Sequence, residues 1–167
     1  DNVKFNEAFC GNLRVPLQVA STGFSVGKPG AQVIIARRAC MELFPGAVIN
    51  LGWGIPAGIG AVAEEEGIID TLTMTVELGV FGGVPGKFPN FGAVVNADAV
   101  IPMANMFDFY NGGGLDVACL GAAQVSADGS VNASKFGSRI AGPGGFVDIT
   151  TSSPKVVICT QFMGKAE

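Results

Sequence analysis

Apolar residues recur at helical spacing from Gln32 to Phe44 (QVIIARRACMELF). Pro29-Gly30 before this run and Pro45-Gly46 after it supply start and stop signals, which predicts a helix. Ala47 to Asn50 reads as a strand, Gly52 to Pro56 as a turn, and Ala57 to Glu66 as a second helix ended by Gly67. The pattern then shortens to that of strands. Leu72 to Glu77 (LTMTVE) mixes apolar residues with Thr, and Val117 to Val125 and Ser130 to Ala133 flank Asp128-Gly129, a dipeptide suited to a tight hairpin turn. Val156 to Thr160 reads as a last buried strand. Strands alternating with helices predict an α/β fold in three layers (α/β/α), with a mainly parallel sheet and helices on both faces. In such a fold the binding crevice lies at the carboxyl ends of the strands.

A chain of 167 residues, 49% hydrophobic and 14% charged, can bury roughly 70% of its unfolded surface, enough for one ordinary domain. Its apolar runs are short, and none approaches the ~20 residues of a membrane span. Ten Lys plus Arg against fourteen Asp plus Glu give a net charge of -4 with no basic block, which argues against nucleic acid as a partner. There is no histidine, so every Ser-His-Asp, Cys-His or His-metal site is excluded. Cys10, Cys40, Cys119 and Cys159 form no CxxC and read as reduced, buried thiols, with no metal site. The opening segment shows no charged leader with an apolar core, which makes the cytoplasm the expected location. A first residue Asp, not Met, fits a chain cut from something longer.

Glycine is enriched, at 25 residues, about twice its usual ~7% share. The glycines cluster at Gly52-Trp53-Gly54, Gly79 to Gly86, Gly112-Gly113-Gly114 and Gly142 to Gly145. Such clusters mark sharp turns or places where backbone comes close to a ligand. Gly52 to Ala57 loosely imitates the dinucleotide fingerprint G-x-G-x-x-G/A, with Asp70 and Glu77 downstream as ribose-binding acids, although Pro56 removes a donor from the loop. Glu77 closes a largely apolar strand and is followed by Leu78-Gly79-Val80-Phe81-Gly82-Gly83. A carboxylate there is costly unless solvated, paired or used, and composition alone leaves a structural and a functional role both open.

The runs NLGWGIP (Asn50 to Pro56), VELGVFGG (Val76 to Gly83), FDFYNGGGLDVACLGAAQVSADGSVNASKFG (Phe107 to Gly137) and AGPGGFVDI (Ala141 to Ile149) follow one another in order. Together they resemble the second half of a family I CoA-transferase. FNEAFCGNLRVPL (Phe5 to Leu17) and IIARRACMEL (Ile34 to Leu43) resemble the segment joining the two halves in fused-chain propionate or acetate CoA-transferases and related short-chain acyl-CoA transferases. The resemblance implies a linker over residues 1–30 from a missing N-terminal half, and a catalytic domain over 31–167 truncated at its C-terminal end.

For the site, the resemblance implies Glu77 as covalent nucleophile, with the backbone at Asn50 and Gly145 facing its carbonyl. Gly52 and Gly54 fall within the same CoA-binding motif. Gly144 and the Gly112, Gly113, Gly114 run would admit the pantetheine arm. A purely structural part for these glycines, and for Asn50 as a buried amide holding the turn, stays open. Coenzyme A would be a substrate, with no tightly bound cofactor and no metal. An acidic chain must meet the CoA phosphates with local cations, and Lys135 and Arg139 near the AGPGG loop are the candidates, against a role as solvated surface. Ketoacid CoA-transferases commonly carry a lysine after an Asn-Ala pair; here Asn96-Ala97 is followed by Asp98 and Ala99, so that contact does not carry over.

The implied partners are an acyl-CoA, a short-chain carboxylate, the N-terminal half as a fused or separate chain, and further copies in a homo-oligomer. By itself the chain is expected to be inactive and prone to self-association. A dinucleotide (NAD)-binding domain using Gly52 to Ala57 and a non-catalytic assembly fragment are the competing readings.

Overall fold

The computed structural model describes residues 9, 13–14, 30–86 and 92–162. Most of the expected linker over 1–30, Cys10 with it, lies outside the described residues. Helix α1 (Ala31–Cys40) leads into strand β1 (Val48–Leu51), helix α2 (Gly58–Glu65), a 3-10 turn (Ile69–Thr71) and strand β2 (Thr73–Val76). Short strands β3 (Val80–Phe81), β4 (Val84–Pro85), β5 (Val94–Val95) and β6 (Ala99–Val100) precede helix α3 (Met103–Asn111) and strand β7 (Val117–Gly121). Two small ribbons, β8 (Gln124–Val125) with β9 (Val131–Asn132) and β10 (Lys135–Phe136) with β11 (Arg139–Ile140), lead to helix α4 (Phe146–Thr151) and strand β12 (Lys155–Cys159).

One six-stranded sheet, ordered β12-β7-β1-β2-β3-β6, organises the domain. Its first four strands are parallel, and β3 and β6 add antiparallel pairs at one edge. Residues of a strand alternate between the two faces. Ile49, Leu51, Val117 and Cys119 therefore point to one side, where α1 and α2 contribute Ala36, Ala39, Ile59 and Val62 to the core. Ala118 and Leu120 point to the other, against Met106, Tyr110 and Leu115 of the α3 segment and Ile149 of α4. Ile49 and Leu51 are fully buried, worth about 1.5–3 kcal/mol apiece. This is the α/β/α arrangement that the alternating pattern predicts.

Several expected boundaries move, each for a local reason. α1 stops at Cys40 and not Phe44, because Glu42 and Leu43 already donate to Ala39 and Cys40 in a tightening turn ahead of Pro45. Val117 to Val125 is not one strand. β7 ends at Gly121 and the chain leaves the sheet, so the Asp128-Gly129 turn closes only the small β8–β9 ribbon. Helices α3 and α4 are absent from the sequence reading. The first carries only Met106 and Tyr110 as fully inward residues, and the second is six residues long.

Candidate active site

The carboxyl ends of β1, β2, β7 and β12 open onto a cleft of about 610 Å³, lined among others by Gly52, Glu77, Gly121, Phe136, Gly145 and Thr160. Glu77 stands at the tip of β2. Gly79 N–H donates to the Val76 carbonyl at 2.9 Å, so residues 76 to 79 form a tight turn that reverses the parallel strand β2 into antiparallel β3. Gly79 has φ +111°, and a Cβ there would lie 1.9 Å from the Ile101 carbonyl oxygen, so no other residue fits. The turn holds the Glu77 side chain half-buried at the mouth of the cleft.

Burial pushes the Glu77 carboxyl above the ordinary carboxylate value, while its own backbone N–H and the Asn50 side chain act in the opposite direction by hydrogen bonding. One oxygen, Oε2, is buried without a hydrogen-bond partner. Asn50, entirely buried in the middle of β1, faces the α3 side of the sheet, and its Nδ2 donates to Tyr110 Oη at 3.1 Å. Asn50 Oδ1 is the second buried oxygen with no partner. The resemblance leads one to expect the Asn50 backbone at the reacting carbonyl. The structure corrects this. That backbone sits in the ladders to Thr75 and Ala118, and its register partner Thr75 lies two residues before Glu77, so it is the Asn50 side chain that lies beside the strand tip.

The AGPGG loop brings Gly145 into the same cleft at the start of α4. Its φ is -79°, so no left-handed conformation demands glycine there. The constraint is space: a Cβ would lie 2.9 Å from Phe107 Cζ and 3.2 Å from Ile149 Cδ1. Gly144 holds the positive φ, at +55°, with open space around it.

Gly52 pairs with β7 through its N–H to the Cys119 carbonyl at 2.8 Å, and Gly54 turns the chain at φ +86° beside it. Lys135 and Arg139 project from the β10–β11 ribbon and are exposed; they do not line the cleft, whereas Phe136 between them does. Gly112, Gly113 and Gly114 lie elsewhere. They follow α3 and precede Asp116, whose N–H donates to the Val48 carbonyl and whose Oδ2 accepts from Val48 N–H, at the opposite, amino end of the parallel strands. α3 runs back along the sheet as a crossover, so its C-terminal glycines cannot meet Glu77.

The dinucleotide reading of Gly52 to Ala57 fails on donors. Pro56 has none, and Gly58 and Ile59 N–H are spent on the Ile55 and Pro56 carbonyls. Asp70 sits in the 3-10 turn before β2, at the amino end of the sheet, far along the strand from the glycines. The sequence reading singled out neither Thr75 nor Tyr110, although both lie in the quoted or adjoining motifs. A Thr inside an apolar strand and a lone Tyr in an aromatic run were the available signals.

The cleft thus combines a half-buried carboxylate at a strand tip, a buried amide on the neighbouring strand and a glycine loop, in a chain without histidine. The chain belongs to the family I CoA-transferases. No protein-family model matches it. It is 45% identical over its whole length to caffeate CoA-transferase of Acetobacterium woodii, of which it spans 32%. It is 30% identical to one of the subunits of the succinyl-CoA:3-ketoacid coenzyme A transferase of Helicobacter pylori, covering 78% of this chain and 68% of that one. Among solved structures, an acyl-CoA transferase of Escherichia coli O157:H7 in a thioester complex with CoA matches 81% of this chain at 44% identity, with a TM-score of 0.71 over 25% of its own length. The chain thus spans a third or less of the long relatives and about two thirds of the separate subunit.

Proposed function

We propose that this chain is the glutamate-bearing half of an enzyme that moves CoA between a short-chain acyl-CoA and a carboxylic acid through a glutamyl-CoA thioester. The observation that carries this is the placement of Glu77: a strand-tip carboxylate lining the cleft, partly stripped of water by burial.

Glu77 attacks the thioester carbonyl, the C–S bond breaks, and CoA leaves as thiolate from a mixed anhydride. The thiolate then attacks the Glu77 carbonyl and expels the first carboxylate, leaving CoA on the enzyme. The acceptor carboxylate reverses both steps. No net proton moves, which matches a chain without histidine. Desolvation makes the carboxylate a better nucleophile, and an N–H donor aimed at a developing oxyanion is worth about 3 kcal/mol. The Asn50 amide and the Gly145 backbone N–H would serve as such donors. Lys135 and Arg139 would meet the CoA phosphates at the rim, and the remaining wall of the crevice would come from the N-terminal half, in a cytoplasmic oligomer. The similar Escherichia coli acyl-CoA transferase, seen in a thioester complex with CoA, supports a thioester intermediate.

Incubating the protein and its complementary half with acyl-CoA should add CoA covalently to a peptide containing Glu77, releasable by hydroxylamine, and Glu77→Ala should abolish both adduct and turnover. Turnover near wild type in Glu77→Ala would eliminate the mechanism.

A further inference from the structure

We infer that Tyr110 and Thr75 are positioning residues that fix which way the Asn50 carboxamide faces, so that an N–H of Asn50, and not its oxygen, is presented to Glu77. The catalytic meaning of this orientation rests on the function proposed above.

One group in the chain of contacts has a single possible role. The Ile49 carbonyl can only accept, so the Thr75 hydroxyl, 2.8 Å away, donates to it. That spends the single proton of Thr75. The contact of 2.8 Å between Thr75 Oγ1 and Tyr110 Oη must then be donated by Tyr110. With its own proton committed, Tyr110 Oη can only accept, and the group facing it at 3.1 Å has to be the Asn50 Nδ2 donor. Polarity thus passes from one backbone carbonyl through two hydroxyls to the amide.

A carboxamide is close to symmetric in shape, so packing alone cannot choose between its two orientations; the hydrogen bonds must. Flipping Asn50 would leave Tyr110 Oη without a donor and set Asn50 Oδ1 against it, acceptor against acceptor. Asn50, Thr75 and Tyr110 are all at most 1% exposed, so solvent offers little compensation for either loss.

The same helix supports both sides of the site. Tyr110 and Phe107 stack edge to face with centroids 6.0 Å apart, and Phe107 is the ring packed against Gly145. Tyr110 stays protonated in its role, since burial pushes it up to about 12. The Glu77 charge adds to that rise, so the phenol and the carboxylate sense one another across the amide.

The test reads the Glu77 carboxylate directly. Protein labelled with ¹³C at the glutamate carboxyls is titrated by infrared spectroscopy, and subtraction of Glu77→Gln isolates the Glu77 band. Tyr110→Phe and Thr75→Val should each move the Glu77 midpoint upward, because its ionised form loses an oriented donor. Thr75→Ser, which keeps the hydroxyl, should restore the wild-type midpoint. In transfer assays with the complementary half, Tyr110→Phe should lower the maximal rate at least about fivefold, the worth of one hydrogen bond, with KM for acyl-CoA changed less than about twofold.

Unmoved midpoints in Tyr110→Phe and Thr75→Val would overturn the inference, as would a Thr75→Ser midpoint matching that of Thr75→Val. If Thr75→Val does not fold, Tyr110→Phe decides alone, since it keeps the ring and its packing. Midpoints that move as expected in a protein that takes up no CoA on Glu77 would leave the positioning intact and remove the transfer reaction.

Discussion

Replacing Glu77 by Gln should stabilise the protein while destroying its activity. The site contains two buried oxygens without partners, Glu77 Oε2 and Asn50 Oδ1, and both are acceptors. Gln has nearly the same volume, keeps one oxygen as an acceptor and removes a charge that burial disfavours. Relieving an unsatisfied buried polar group is worth ~1–3 kcal/mol. For a chain of this length each kcal/mol moves the melting temperature about 2–4 °C, so Tm should rise by roughly 2–12 °C at pH 7.5.

The pH dependence supplies the sharper test. Glu77 titrates higher in the folded protein than in the unfolded chain, where its value is near 4.5. Between the two values the folded state holds the extra proton, so stability falls as pH rises through that window. Below about 4.5 both states are protonated and the Gln variant should lose its advantage; above the folded-state value the advantage should be complete. The assay is a pair of thermal melts, at pH 7.5 and at acid pH, on wild type and Glu77→Gln. A variant less stable than wild type at pH 7.5, or a difference independent of pH, would refute the claim that Glu77 is held at a cost.

Two further outcomes follow from packing. Gly145→Ala places a Cβ 2.9 Å from the Phe107 ring, so it should cost ~1–3 kcal/mol of stability and also lower the maximal transfer rate; Gly145→Ala with Phe107→Leu should recover stability, and recovery of rate with it would show that the loop returns to its place. Cys119 and Cys159 lie in the core, with burial pushing their thiols up to about 12 and about 11, so both should resist iodoacetamide at pH 8 in the native protein and react once it is unfolded in urea; modification of either before unfolding would contradict the buried placement.

The sequence by itself carried the layer architecture, because strand and helix periods are local properties: Ile49 and Leu51 alternate with Asn50, and the α1 stripe repeats at helical spacing. It also carried the position of Glu77, since a carboxylate at the end of an apolar strand before a glycine run is visible without coordinates, while leaving a structural and a functional role both open. What it could not carry were distances across the fold. Gly112 to Gly114 look like any other glycine cluster in the chain, yet the crossover helix α3 delivers them to the opposite end of the sheet. Gly145 reads as backbone facing the Glu77 carbonyl or as a turn residue, and only the Phe107 ring, brought over from α3, shows how little space a side chain would have there. Asn50, Thr75 and Tyr110 are up to 60 positions apart in sequence, and no local pattern links them. Their connection exists only because β1 and β2 are parallel neighbours and α3 packs across them, so the orientation of the Asn50 amide is decided by tertiary structure.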